Sequence, residues 1–216
     1  MLTRRHFVAA GAAAAFGVSP AFAHKAYVVP EAHKPRFVDL PFILPEGEIH
    51  VEPDEFALYL TVPPIKQPRK QISTKAIRYT VGIGRGKLYH SGVYTVGEKR
   101  EWPNWKPTPE MIRRNPNYSR YADGVPGGPT NPLGAMALYL FNSLGRDTML
   151  RIHGTPQPWT VGQAVSNGCA RLVNSHAVDL YNQVELNTRV ILHEKGRMIE
   201  GQTPDLLAIP GFSTHS

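Results

Sequence analysis

The chain has 216 residues, 24 Lys+Arg against 17 Asp+Glu, and a formal charge of +7. That length suits one domain with a real core, and 20 prolines with 19 glycines argue for a loop-rich, strand-rich protein over a helical bundle. No basic run is interleaved with aromatics and no nucleic-acid motif occurs, which sets nucleic acid aside, while the basic balance favours contact with an anionic polymer.

Thr3-Arg4-Arg5-His6-Phe7-Val8 is a twin-arginine run. An apolar stretch to Val18 follows, too short to span a bilayer as a helix, and Ala21-Phe22-Ala23 supplies an A-x-A cleavage site. Residues 1–23 are therefore expected to be a twin-arginine signal peptide, removed on export, with no stable membrane insertion afterwards. Loss of Arg4 and Arg5 takes the charge from +7 to +5. Residues 24–47 are proline-spaced and without periodicity, and are expected to be an extended linker.

The folded domain is expected over residues 48–193. Phe56, Leu58, Leu60 and Val62 fall on one face of a strand, Ala76–Ile83 gives a second, and Leu88–Val96 a third, bent at Gly92. Glu98–Pro132 breaks this rhythm with Trp102, Trp105, prolines, a Gly127-Gly128 pair and one helical candidate, Pro109–Arg114. A loop-rich insertion of this length is expected to be a lid or binding wall, the alternative being a structural flap packed by its tryptophans. Strands resume at Ala135–Phe141 and Thr148–His153. Trp159 and Val161 are expected to pack beneath the segment that follows. Asn174 is placed as N-cap of a helix to Val184, with Ala177, Leu180, Tyr181 and Val184 as its apolar stripe and His176 and Asp179 solvated. Thr188–His193 closes the domain, and residues 194–216 form a tail with little pattern.

Between these elements lies Arg151–Val173, RIHGTPQPWTVGQAVSNGCARLV, which carries the chemistry. It holds the only cysteine, Cys169, and a histidine at the end of a strand, His153. A thiolate attacks carbonyl carbon, and an imidazole within reach takes the thiol proton and returns it to a leaving amine. Gly154 and Gly168 remove bulk beside both partners. Ser166, Asn167 and Gly168 form a turn in which the amides of Gly168 and Cys169 face a developing oxyanion. Arg171 is placed to fork onto a substrate carboxylate. Export adds an argument of its own. A single unpaired cysteine in an oxidising compartment is a liability unless it does something. A lone cysteine is also read as a small buried hydrophobe, or as a metal ligand with His153 and His176, although closely spaced ligand pairs are lacking. No cofactor and no metal are expected. A nucleophilic Cys169 should alkylate faster near neutral pH than an unperturbed thiol.

HGT followed by SNGCARL resembles the H-G-T…S-x-G-C-[IVA]-R-[LM] pattern of the L,D-transpeptidase (YkuD-type) catalytic domain, in spacing as well as residue type. Gly127–Leu140 and Glu101–Met111 are similar to bacterial envelope members, so the resemblance covers roughly Glu48–Leu192; Asn167 stands where many members have His. The resemblance implies a mostly β fold, a YkuD-like sandwich or meander with one or two short helices and a lid over the cleft. In that lid Trp102, Trp105 and Tyr121 would contact ligand, together with Ser166, Asn167 and Arg171. It implies a periplasmic enzyme acting on peptidoglycan stem peptides. The Cys169 thiolate, deprotonated by His153, would attack a donor tetrapeptide, release D-Ala and pass the acyl group to an amine, giving a 3-3 cross-link. Gly154 would orient the imidazole through its backbone. The acceptor stays open among another stem, water, a lipoprotein lysine and a free D-amino acid. A stem-peptide-binding envelope protein without catalysis and a thiol peptidase of proteins are the competing readings.

Overall fold

The computed structural model describes residues 27–62 and 72–196; the expected signal peptide and most of the expected tail lie outside them. Among the described residues, eleven strands and two α-helices appear in chain order. The strands are β1 (Arg36–Pro45), β2 (Ile49–Glu52), β3 (Ala57–Thr61), β4 (Ile72–Thr80), β5 (Ile83–Gly84) and β6 (Gly92–Glu101), then β7 (Met136–Phe141), β8 (Asp147–His153), β9 (Ala164–Ser166), β10 (Ala170–Arg171) and β11 (Arg189–Leu192). The helices are α1 (Pro109–Arg114) and α2 (Asn174–Gln183).

Nine strands form one mixed sheet in the order β1-β4-β3-β2-β11-β6-β7-β8-β10, and β5 pairs with β9 separately. Two antiparallel meanders, β2–β3–β4 and β6–β7–β8, are thus joined through β11, which runs parallel to β2 and antiparallel to β6. The sheet also meets itself. Just past β4, Gly82 exchanges two 2.8 Å backbone hydrogen bonds with Arg171 in β10, the far end of the strand order. The core fills the concavity with Ile49, Leu58, Tyr79, Val96, Leu138, Ile152 and Leu172, and Ala177, Leu180 and Val184 of the α2 segment pack against them. Fold class is therefore mostly β, as the patterning implies.

Several local expectations are corrected. Residues 36–45 of the expected linker are the edge strand β1, paired antiparallel with β4. An edge strand tolerates its prolines, Pro41 and Pro45, because one row of amides needs no ladder partner. The short β2 went unseen because alternating Ile49-His50-Val51-Glu52 is too brief to show a period. Gly92 opens β6 instead of bending it, and β6 runs on to Glu101, into the expected lid. There Lys99 Nζ donates to the Tyr181 and Val184 carbonyls at the end of α2, a cation satisfying a helix C-terminus. Asn174 does not cap α2; that position is Val173, and the Asn174 Oδ1 accepts instead from the Ala135 amide. His176 is buried, and Asp179 accepts from the buried Tyr79 hydroxyl at 2.6 Å, so neither is simply solvated. Val161 is buried as expected, but Trp159 is 57% exposed. Helix α1 spans the expected Pro109–Arg114, begun by proline at its first position and by Thr108, whose side chain accepts from the Met111 amide.

Candidate active site

The site is built on two adjacent parallel strands. In the register, Ile152 faces Ala170 and His153 faces Arg171. Side chains alternate along a strand, so Ile152, Ala170 and Leu172 enter the core while Arg151, His153, Cys169 and Arg171 share the opposite face. The sequence segment thus brings its candidate residues together by strand pairing. Among the described residues no hydrogen bond joins His153 to Cys169, and no group of acidic, His and Cys side chains has metal-site geometry.

The imidazole is fixed by its backbone surroundings. His153 is buried, and its Nδ1 lies 2.5 Å from the Gly154 carbonyl. Burial, followed by the positive charge of Arg171, lowers its pKa to about 3, against the pull of the Gly154 and Leu133 carbonyls. A neutral ring facing a carbonyl must carry its proton on Nδ1, which leaves the lone pair on Nε2. Gly154 has a steric reason too: a Cβ there would stand 2.2 Å from Asn174 Oδ1, the acceptor that ties β7 to the head of α2.

The thiol is also neutral at rest. Burial pushes Cys169 above its ordinary pKa, although the Arg151 amide and the charges of Arg151 and Arg171 pull the other way. That direction runs counter to the lowered pKa on which fast alkylation at neutral pH would rest, since the desolvation of the site exceeds the help of its cations. The loop before the thiol is a tight turn at Gly168, where φ is +131° and a Cβ would meet the Leu88 carbonyl at 2.9 Å. Ser166 braces it. Its hydroxyl donates to the Cys169 carbonyl at 2.6 Å and accepts from the Gly168 amide at 3.1 Å. Ser166 is buried within the turn, and the Gly168 amide is already engaged.

Arg171 threads over Gly82, where a Cβ would collide with its Cγ at 2.8 Å. One guanidinium nitrogen, Nη1, donates to Thr160 Oγ1 at 3.3 Å, while Nε is buried without a partner. A cation held this way keeps hydrogen-bonding capacity for a ligand.

The expected lid leaves the sheet at Glu101 and is stapled at its foot. Trp105 and Val125 exchange two backbone bonds, the Gly127 amide donates to Asn104 Oδ1, and buried Asn131 donates to the Val125 and Pro126 carbonyls. Its tip reaches the turn before Cys169 through a residue that sequence reasoning missed, Tyr118, whose hydroxyl accepts from Asn167 Nδ2 at 3.1 Å. Trp105 lies edge-on to both Tyr118 and Tyr121 at 5.9 Å, so Trp105 and Tyr121 support Tyr118 from within the lid. Trp102, at the foot, is 47% exposed.

Comparison with known proteins agrees with the geometry. Residues 49–192 match the family model described as YkuD, the L,D-transpeptidase catalytic domain. The chain is 36% identical over 118 residues to the probable L,D-transpeptidase ErfK/SrfK of Escherichia coli, covering 52% of this chain but 35% of that protein. It is 34% identical over 124 residues to the putative L,D-transpeptidase YqjB of Bacillus subtilis, 56% of this chain and 62% of that protein. Among solved structures, a Brucella melitensis protein named a probable carnitine operon oxidoreductase is 42% identical, with a TM-score of 0.50, over 74% of this chain and 93% of that one. The family match spans β8, β10 and the expected lid. The chain belongs to the L,D-transpeptidase catalytic-domain family.

Proposed function

We propose that this protein is a cysteine acyltransferase of the bacterial envelope, acting on peptidoglycan stem peptides. The observation that carries the reading is the neutral His153, held in its Nδ1–H tautomer by the Gly154 carbonyl on the face that also presents Cys169. As substrate closes the gap, Nε2 takes the thiol proton and the sulfur attacks the carbonyl of the third residue of a donor tetrapeptide. The proton passes from His153 to the D-Ala amine as the C–N bond breaks, leaving a thioester. An acceptor amine then attacks that thioester and restores the thiol. Because thiol and imidazole both start neutral, proton transfer accompanies attack and no resting ion pair is needed. The Cys169 amide is the oxyanion donor nearest the sulfur, since that of Gly168 serves Ser166. Arg171 binds a donor carboxylate, and Asn167 of the turn, with Tyr118 and Trp102 of the lid, lines the approach. Export by the twin-arginine route and a 3-3 cross-link as product complete the proposal, with water, a lipoprotein lysine or a free D-amino acid as other acceptors. The name of the Brucella relative describes another reaction class and bears on that protein alone.

The test is mass spectrometry of disaccharide-tetrapeptide after incubation with wild type and with Cys169→Ala. D-Ala release by wild type alone supports the reading, and dimer, tripeptide or exchanged stem identifies the acceptor. No release by folded, reduced protein would leave a binding protein.

A further inference from the structure

The hairpin β7–β8 departs from regular pairing beside the nucleophile. Tyr139 faces Arg151 and Phe141 faces Asp147, so Thr148, Met149 and Leu150 stand opposite Leu140 alone. At the crest Met149 has φ +63°, a left-handed conformation that a side chain other than glycine rarely adopts. Packing of its own side chain does not explain it, since Met149 is 56% exposed. Nor does the turn require it, because Asn142 Oδ1 already accepts from the Leu144 and Arg146 amides. Strain of this kind persists where the surroundings over-determine it, and it collects at functional sites.

The surroundings do over-determine it. The Asp147 carboxylate grips Arg151 with both oxygens, at 2.7 and 2.8 Å, and accepts from the Met149 amide at 2.8 Å. Arg151 is buried, lies 3.8 Å over the Tyr139 ring and donates to the Leu150 carbonyl at 2.8 Å. Thr148 donates to the Leu140 carbonyl at 2.6 Å and accepts from the Leu150 amide at 3.3 Å. What this staple presents is backbone. The Cys169 Sγ lies 4.0 Å from the Met149 carbonyl, and the Arg151 backbone pulls the thiol pKa down against burial.

We propose that the bulge is the seat of the nucleophile, with Met149, Asp147 and Arg151 as positioning residues that aim one carbonyl and one amide at the Cys169 sulfur. The carbonyl receives the S–H of the resting thiol, and the amide receives the negative charge as the proton leaves for His153. Regular strand geometry at Met149 would change where both groups point. The seat would serve the acyl transfer proposed above and rests on that reading for its purpose, but its effect on the thiol is measurable without any substrate.

The test is the pH dependence of Cys169 alkylation by iodoacetamide in the purified protein, with each variant checked for its fold by circular dichroism. Asp147→Ala frees the staple, and we expect alkylation about tenfold slower at neutral pH, with its midpoint moved upward, the worth of one hydrogen bond to a charged group. The sign is discriminating: loss of a nearby negative charge alone would favour the thiolate and speed alkylation. Asp147→Glu should recover part of the rate. Met149→Val, β-branched and ill suited to φ +63°, should fall below Met149→Gly, which adopts that conformation freely. Folded variants that keep the wild-type profile, alone or with only a lower Tm, would overturn the seat, as would faster alkylation in Asp147→Ala. If wild type releases no D-Ala from tetrapeptide while alkylation still follows the staple, the transpeptidase reading fails and the seat stands.

Discussion

Two corners of one sheet bury a histidine, and they treat it in opposite ways. At the β2–β11 corner His50 stacks on His193 with ring centres 5.4 Å apart and shares a 3.1 Å hydrogen bond with it. Glu48 lies 3.3 Å from His50 and 3.2 Å from Arg189, and Glu52 lies 3.4 Å from His193. Carboxylates there match the imidazoles and the guanidinium, and the group reads as architecture. At the β8–β10 corner one imidazole and one thiol face two arginines, and the nearest carboxylate, Asp147, is held by Arg151. Both corners desolvate polar groups. Only the second withholds the counter-charge: burial, followed by the positive charge of Arg171, keeps His153 a neutral base, while burial keeps Cys169 a neutral thiol against the pull of both arginines. What distinguishes the candidate site from the structural corner is electrostatic imbalance; the residue types largely overlap.

Four measurements break or sharpen this contrast. Cys169→Ala should abolish the acyl-enzyme mass and D-Ala release, while the urea midpoint stays close to wild type; retained turnover would remove the thiol from the chemistry. His153→Gln should lower kcat/KM by about 10²–10⁴-fold, the usual worth of a general base. The same residue sets a pH signature. Unfolded, it takes a proton near 6.5; folded, only near 3, so its contribution to stability is full above 6.5 and is lost as pH falls from there toward 3. Tm should fall over that window more steeply in wild type than in His153→Gln, and kcat/KM should show no acid limb near 6.5. Glu48→Gln, at the balanced corner, should cost about 1–3 kcal/mol in urea unfolding with turnover per folded molecule unchanged. The smallest effect belongs to the lid. Tyr118→Phe should raise KM by about twofold to tenfold with kcat little changed, as one hydrogen bond predicts. Combination with Asn167→Ala should then add less than the sum of the two.

Much of this contrast was legible in the chain, and the reasons are specific. The α1 boundaries could be read because Thr108, Pro109 and a following Asn115-Pro116 carry local signals for start and stop. The central strands could be read because their apolar runs are long, as in Ala57–Thr61 and Met136–Phe141. His153 and Cys169 emerged from a motif that strand pairing then brought to one face. What stayed hidden is non-local. Nothing near Tyr118 announces a partner at Asn167, forty-nine positions on. Nothing near Asn174 says that its amide oxygen serves Ala135 in place of its own helix. The sequence around Met149 carries no glycine to mark the left-handed crest, and His50 gives no sign of stacking on His193 until β2 and β11 pair.

The backbone bridge between Gly82 and Arg171 has a consequence for how the folded protein comes into being. It joins segments far apart in the chain, as does the parallel pairing of β2 with β11, and contacts of high sequence separation form late because their loop entropy must be met first. Until β10 docks, Cys169 has neither the Arg151 amide nor the Gly168 turn against Leu88. A nascent or partly folded chain therefore carries a water-exposed sulfhydryl of ordinary acidity, open to sulfenic acid formation by oxidants. Closure of the sheet covers part of that sulfur and raises its pKa, so the step that completes the tertiary structure also makes the thiol less open to oxidants.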